Sequence, residues 1–324
     1  MSFDSDAMFD RRRIRRKLTF WRVVALLLVV VGLGAAVLTW SRGSGESFQT
    51  GPSIARVSFK GLIRGDLERV QSLDRLARSN ARAVIVHVDS PGGTTAGSEQ
   101  LYVAIRHIAE RKPTVIVIDS VAASGGYIAA LAGEHIIAQG SAVVGSIGVL
   151  VQYPNFYDLI SKLGVKVEEV KSSPLKAAPN GLSPTSPEAL AALDSLVKET
   201  YSWFRSLVKE RRNLDDSLLA QVSDGRVFTG RQAIGLKLID QIGNERTARD
   251  WLAQNKGISI DTPVRDWRLT SRFSQLSFLH LAGAAMLDSL GLSSLARGIE
   301  ESGAAFERLN LDGLLTLWHP AAVR

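Results

Sequence analysis

The chain has 324 residues, 45% of them hydrophobic and 22% charged, with 39 basic against 32 acidic side chains and no cysteine. That balance excludes a disulfide-stapled miniprotein, a disordered tail and a collagen-like polymer, and the missing thiols exclude cysteine nucleophiles, zinc ribbons and iron–sulfur ligation. The net charge of +7 is no nucleic-acid footprint, because residues 1–22 hold seven Arg/Lys against three Asp and so carry +4 of it by themselves.

From Val23 to Trp40 run eighteen residues without a charge, VVALLLVVVGLGAAVLTW, flanked by Trp21 and Trp40 and preceded by the basic cluster of residues 11–22. This pattern predicts one membrane-spanning helix with its N-terminus in the cytoplasm, tryptophans at both interfaces and everything from Ser41 onward across the membrane. A cleaved signal peptide is the alternative, but no small-x-small site closes the stretch. Residues 41–53, SRGSGESFQTGPS, read as a flexible linker.

Beyond the linker, short β-branched runs alternate with helix-like segments. Strands are predicted at Ile54–Phe59, Ala83–Val88, Thr114–Asp119, His135–Ala138 and Val165–Val170, with DLERVQSLDRLARS, TAGSEQLYVAIRHIAER, SGGYIAALAGE and FYDLISKLG as intervening helices. Strands separated by helices of this length imply parallel β-α-β units, hence an α/β fold. A long helix is predicted from Pro187 to Asn213, opened by Ser186-Pro187-Glu188. The catalytic domain with its helical extension is placed at 54–264 and a tail with an amphipathic helix at 265–324, where Leu276, Leu279, Gly283, Met286, Leu287 and Leu290 share one helical face.

Three segments combine glycines with small hydroxyl residues: Asp89-Ser90-Pro91-Gly92-Gly93, Ala123-Ser124-Gly125-Gly126-Tyr127 and Gly145-Ser146-Ile147-Gly148-Val149. At the carboxyl ends of parallel strands such groups face the binding crevice. Ser124 is the candidate nucleophile, since the glycines after it admit a substrate and the helix starting there offers free N–H groups to a tetrahedral oxyanion. For an arbitrary serine before a helix, simple capping is the commoner role. A serine also needs a base. The five histidines are scattered, no Gly-x-Ser-x-Gly elbow surrounds Ser124, and His87 in a strand and His107 on a helix read as structural, which leaves Ser/Lys catalysis.

These motifs, in this order and followed by a lysine about fifty residues after the serine, resemble the signal peptide peptidase A family, serine peptidase family S49, over roughly Ile54 to Asn255. The segments Gly225-Arg226-Val227-Phe228-Thr229-Gly230 and Asp240-Gln241-Ile242-Gly243 add to the likeness. The resemblance implies a ClpP/crotonase-like fold, a nucleophile at Ser124, a general base at Lys176 rather than Lys171, a lysine-orienting hydroxyl at Ser146 and oxyanion donors from Gly92, Gly93 and Gly125. It further implies a bacterial inner-membrane endopeptidase, anchored by one pass with its catalytic domain outside the cytoplasm. Its substrates would be remnant signal peptides and similar apolar peptides, its assembly a homo-oligomeric ring, and it would need no metal or other cofactor. A free lysine titrates near 10.4, so a base working near neutrality needs roughly 4 kcal/mol of selective destabilisation of its ammonium, mostly by desolvation. Two alternatives stay open: an acyl-CoA enzyme on a crotonase-like fold, and a membrane-tethered scaffold with a degenerate site.

Overall fold

Four of the β-branched runs form the parallel centre of one sheet. In a computed structural model, which describes residues 51–269 and 315–317, β1 (Ser53–Lys60), β2 (Ala81–Ser90), β4 (Thr114–Ala123) and β5 (His135–Ala138) lie side by side. Their registers include Val57 opposite Val86, Val86 opposite Ile116 and Ile116 opposite Ile136. These strands are apolar on both faces because both faces are covered, as parallel sheets require. One face carries Ile54, Ala83, Ile85, Val115, Val117 and Ile137 against Ala248 and Leu252 of a helix at Glu245–Lys256. Alternation turns Val84, Val86, Val88, Ile116 and Ile118 to the other face. The helices α1 (Leu67–Arg78) and α2 (Thr95–Ala109) bury Leu73, Leu76, Leu101, Ile105 and Ile108.

Four shorter strands extend this centre: β6 (Val143–Gly145), β7 (Val227–Thr229), β8 (Gln241–Ile242) and β9 (Val264–Asp266). The resulting eight-stranded sheet has the order β7-β6-β4-β2-β1-β9, with β5 pairing β4 and β8 pairing β5 off that path. Strand β4 forks: its first half pairs with β5, its last three residues pair in parallel with β6, and β6 pairs antiparallel with β7. The fork opens the sheet where the short helix α3 (Gly125–Ala130) begins. The α/β class is therefore as expected from the sequence, with one antiparallel pair in a parallel sheet. A compact unit begins at Pro52. The expected membrane span at 23–40 and the amphipathic helix drawn through Leu276–Leu290 lie outside the described residues, and among the described residues no helix is long and apolar enough to cross a membrane.

Two expectations change. The segment Val165–Val170 is no strand: after α4 (Tyr157–Lys162) it runs without a pairing partner, and Val165, Val167 and Val170 are exposed. Its alternating pattern suits a half-buried strand, but a strand needs a neighbour to satisfy its backbone, and none is supplied among the described residues. The stretch 265–324, read as a helical tail, contributes to two strands. Strand β9 pairs in parallel with β1, and the Trp267 indole after it donates to Ser72 Oγ on α1 at 3.0 Å. Strand β10 (Leu315–Leu317) pairs antiparallel with β3 (Gly92–Thr94).

The long helix α5 (Pro187–Arg212) starts where the sequence places it, with Ser186 Oγ accepting from Ala189 N–H, proline in its first turn and Asn213 left-handed at its end. From its last turn Arg211 reaches back to donate to the carbonyls of Leu131 and Gly133 at 2.8 Å each, satisfying the C-terminal end of α3. Three further helices, α6 (Asp216–Val222), α7 (Gly230–Gly235) and α8 (Glu245–Lys256), complete the described chain.

Candidate active site

Ser124 ends β4 and precedes α3 with φ 54° and ψ −117°. A serine in that region carries a strain of about 1–3 kcal/mol, a cost that persists where surrounding structure forces it and that concentrates at functional sites. The force here is visible. Ser124 N–H donates to Gly145 C=O at 2.7 Å, while its own carbonyl accepts from Tyr127 and Ile128 N–H at 2.9 and 3.0 Å. Its side chain makes no capping hydrogen bond, so the commoner role for a serine before a helix does not account for it. Only 1% of the residue is exposed. Tyr127, one turn on, anchors the helix from beneath: it is fully buried, its hydroxyl donates to Leu238 C=O at 2.8 Å, and burial raises its pKa.

Ser146 follows β6 with the same kind of backbone, φ 51°, and 8% exposure. Gly145 before it has φ 110°, and Ser146 N–H donates to Arg226 C=O at 2.8 Å. The β4–β6 pairing, Ala123 opposite Gly145, thus brings the two serines to adjoining strand ends. A cavity of about 340 Å³ opens beside Ser146, walled by Ile147, Val149 and Leu150, by Val197 and Tyr201 of α5, and by Asp224–Gly225.

The Ser90–Gly93 loop closes another side. Gly126 packs so tightly on it that a β-carbon there would lie 2.4 Å from Ser90 C=O. Ser90, fully buried, accepts from Gly92 N–H at 3.1 Å through its hydroxyl. That hydrogen bond occupies the Gly92 N–H. Gly125 N–H sits at the first position of α3, where a helix supplies no acceptor of its own. The self-bonded Ser90–Gly92 turn has a sequence signature, a serine two residues before a glycine amide, which the motif reading passed over.

The structure does not bring Lys176 to these serines within one chain. It is exposed, in a loop whose next residue, Ala177, is the third non-glycine residue with positive φ beside a predicted catalytic position, at 58°. Its side chain makes no hydrogen bond or ion pair among the described residues. Lys171 is different: its ammonium lies 2.6 Å from Glu169, in an ion pair. Among the described residues the histidines are committed elsewhere. His87 is clamped between Asp119 (3.0 Å) and Glu245 (2.8 Å), and His107 lies 3.3 Å from Asp74. Glu245 is in turn held by both ends of the Arg56 guanidinium at 2.6 Å each, and Arg56 keeps its carboxyl below the usual range. Among the described residues no cluster of three or more His, Asp or Glu is arranged to hold a metal.

Residues 106–259 match the family described as Peptidase family S49. "Putative protease slr0021" of Synechocystis sp. is 32% identical over 262 residues, covering 78% of this chain and 92% of that protein. The chain belongs to peptidase family S49. Another relative, "Putative signal peptide peptidase SppA" of Enterococcus faecium, is 30% identical over 194 residues, 60% of this chain and 56% of that protein. Among solved structures, a ClpP1 point mutant from Listeria monocytogenes superposes with a TM-score of 0.40 at 14% identity over 59% of this chain and 92% of that one. Membership in S49 makes this a serine-type peptidase and removes the acyl-CoA alternative.

In this S49 peptidase Ser124 is buried, held at positive φ by its backbone hydrogen bonds, and its side chain takes no part in capping α3. The site so described brings together a buried serine, a hydroxyl on the adjoining strand and helix-start N–H groups, and among the described residues no side chain is hydrogen-bonded to Ser124 Oγ.

Proposed function

We propose that this chain is a membrane-anchored serine endopeptidase that hydrolyses remnant signal peptides and similar apolar peptides through a Ser124/Lys176 dyad, on the extracytoplasmic side of a bacterial inner membrane. Ser124 Oγ attacks the peptide carbonyl and Lys176 takes its proton. The N–H groups of Gly93 and Gly125 receive the oxyanion, the protonated lysine hands its proton to the leaving amine, and water then releases the acyl group. Ser146 holds the lysine amine without adding charge.

The observation that carries this reading is the backbone of Ser124: positive φ, almost complete burial and no capping bond, in a chain of a serine peptidase family. The exposed Lys176 supports a dyad shared between copies. An exposed ammonium is fully solvated, so a working base requires a surface that covers it, and the segment carrying it is built to be covered. Phe156, Leu159, Leu163, Val167, Val170 and Leu175 are all exposed there, an apolar stretch of a size that marks an interaction surface. Head-to-tail contacts between identical chains close into rings. The anchor at 23–40 rests on its apolar run and its positive flank.

The test is peptide hydrolysis by the full-length protein in detergent, with an apolar signal-peptide substrate and a fluorophosphonate probe. Turnover and labelling that both vanish in Ser124→Ala support the assignment. Labelling that persists in that variant removes it.

A further inference from the structure

Residues 163–186 join α4 to α5 without a helix or a strand, a length of connection that is uncommon in compact domains unless it serves a function. Lys176 sits within it, and beside it Ala177 holds φ 58°, a conformation that a residue with a β-carbon keeps only where its surroundings impose it. Two ties impose a shape on this segment. The first is Gly181, whose carbonyl accepts from Phe156 N–H at 2.7 Å. Its φ is 74°, and a β-carbon there would lie 2.1 Å from Pro154 C=O, so the glycine is fastened against the residues that lead into α4.

The second tie is Asn180, whose side chain bonds in both directions along the chain. Its Oδ1 accepts from Leu182 N–H at 2.9 Å, from Ser183 N–H at 3.1 Å and from the Ser183 hydroxyl at 3.0 Å, a turn that stiffens the chain leading into α5. Its Nδ2 donates to Glu169 Oε1 at 2.6 Å, eleven residues back. The other carboxylate oxygen of Glu169 pairs with Lys171, so each oxygen has its own partner. Reversing the amide would set its oxygen against a carboxylate and its N–H groups against other donors, so the surroundings admit one orientation. The Asn180–Glu169 bond thus closes a loop of chain with Lys176 inside it, and within residues 163–186 it is the one side-chain hydrogen bond that joins a residue before Lys176 to a residue after it.

We propose that Asn180 is a positioning residue for the Lys176 base, a strap that holds the lysine-bearing loop in the shape a serine must meet. This deepens the function proposed above and rests on it, since a strap on this loop affects turnover only if Lys176 takes the proton from Ser124. Asn180 acts through the backbone of residues 177–179 and touches no reacting atom. A general base must lie within about 2.6–3.2 Å of the hydroxyl it deprotonates, so a loop free to shift by about an ångström leaves its lysine out of range. A neutral amide fastens the loop without adding a negative charge that would favour the ammonium over the free base.

The experiment uses the full-length protein with Asn180→Asp, Glu169→Gln and the two combined. Asn180→Asp keeps an acceptor for Leu182 and Ser183 but replaces the donor that faces Glu169 by an oxygen, which breaks the strap alone. The double variant sets a Gln amide donor against an Asp acceptor and keeps the net charge of the wild type, so the strap can form again with its polarity reversed. Turnover of an apolar peptide, counted per Ser124 that fluorophosphonate labels at completion, should fall about tenfold in Asn180→Asp with KM within about twofold, and return to within about threefold of wild type in the double variant. Glu169→Gln, whose amide oxygen still accepts from Asn180, should lose about twofold. Counting labelled serines removes the contribution of misfolded protein. Wild-type turnover in Asn180→Asp, or a loss that the double variant does not recover, overturns the proposal.

Amide hydrogen exchange of residues 174–180 is read in parallel on the Ser124→Ala background, without catalysis. Exchange should quicken in Asn180→Asp and slow again in the double variant, and exchange that responds to neither overturns the strap. If exchange responds as expected while wild-type protein shows no turnover that depends on Ser124 and Lys176, the function reading has failed and takes the positioning role with it, and the strap stands as a loop contact. If turnover depends on both residues while neither turnover nor exchange responds to Asn180→Asp, the positioning role alone has failed.

Discussion

The backbone N–H of Ser124 donates to the carbonyl of Gly145 at 2.7 Å, and this bond couples the strained end of β4 to the residue directly before Ser146. Both serines have positive φ, at 54° and 51°, so the fork of β4 with β6 fixes two unfavourable conformations on adjoining strands.

A strained serine makes a stability prediction separate from the catalytic one. Ser124→Ala keeps a β-carbon at φ 54° and should leave unfolding free energy nearly unchanged while abolishing turnover. Ser124→Gly should be equally inactive but more stable than Ser124→Ala by about 1 kcal/mol, because glycine adopts positive φ without a steric cost and this outweighs its extra entropy when unfolded. Urea unfolding of the two variants side by side decides the matter. A glycine variant less stable than the alanine one would mean that Ser124 carries no backbone strain.

Ser90 supports a third variant. Its hydroxyl receives the Gly92 N–H at 3.1 Å in a fully buried turn, so Ser90→Ala leaves that amide without its acceptor, at about 1–3 kcal/mol. The turn that carries Gly93 should loosen. We expect kcat to fall about tenfold or more with KM little changed, as for a loss felt only where the oxyanion develops, and Ser90→Thr to recover most of it. A loss that Ser90→Thr fails to rescue, accompanied by a matching fall in the fraction of folded protein, would point to a general folding defect instead.

How far these features could be read in the sequence depends on how local their causes are. The central strands were legible because each is a run of four or more β-branched or apolar residues: His135–Ala138 has the bounds expected, and Thr114–Asp119 extends only to Ala123. Strands β3, β6, β7, β9 and β10 are three residues each, too short to show a period, and exist because a distant strand is waiting for them. Val165–Val170 fails in the opposite sense, since it has the period and no partner. At the site, the motifs locate Ser124, Ser146 and Lys176 by their residue types, but the strain at the serines arises from pairing across β4 and β6, and the turn bond of Ser90 depends on a loop conformation. Neither is written in composition.

On the covered face of the sheet, Arg56 holds Glu245 through two hydrogen bonds of 2.6 Å, and His87 adds a third contact at 2.8 Å. The hydrogen bonds from Arg56 come first among the causes that lower the Glu245 pKa, against an opposing effect of burial. A carboxyl whose pKa is depressed on folding contributes stability that is present above its unfolded pKa, near 4.3, and is lost as pH falls through the folded value. Glu245→Gln should therefore cost about 1–3 kcal/mol at pH 7 and progressively less below about pH 4, where the wild-type carboxyl is itself protonated. Thermal melts of both proteins from pH 3 to 7 should converge at the acid end. A constant gap across that range would show that the loss comes from packing and not from charge.

The separation of Lys176 from Ser124 gives the most decisive test of a shared dyad. In one chain the serine is buried at the end of β4 and the lysine is exposed, flanked by apolar side chains that nothing among the described residues covers. If a neighbouring copy completes the site, Ser124→Ala and Lys176→Ala are each inactive when pure, but a mixed ring places an intact serine beside an intact lysine at some contacts. Under random equal mixing a contact is productive with probability one half times one half, so about a quarter of wild-type activity should return. Lys171→Ala serves as the control and should retain activity, since its ammonium is already paired with Glu169 at 2.6 Å. Co-assembly must be verified independently, by differently tagged chains purified in sequence. With that in hand, a mixture that stays inactive means that the lysine loop folds back to complete the dyad within its own chain, and a mixture that recovers fixes the ring as the catalytic unit.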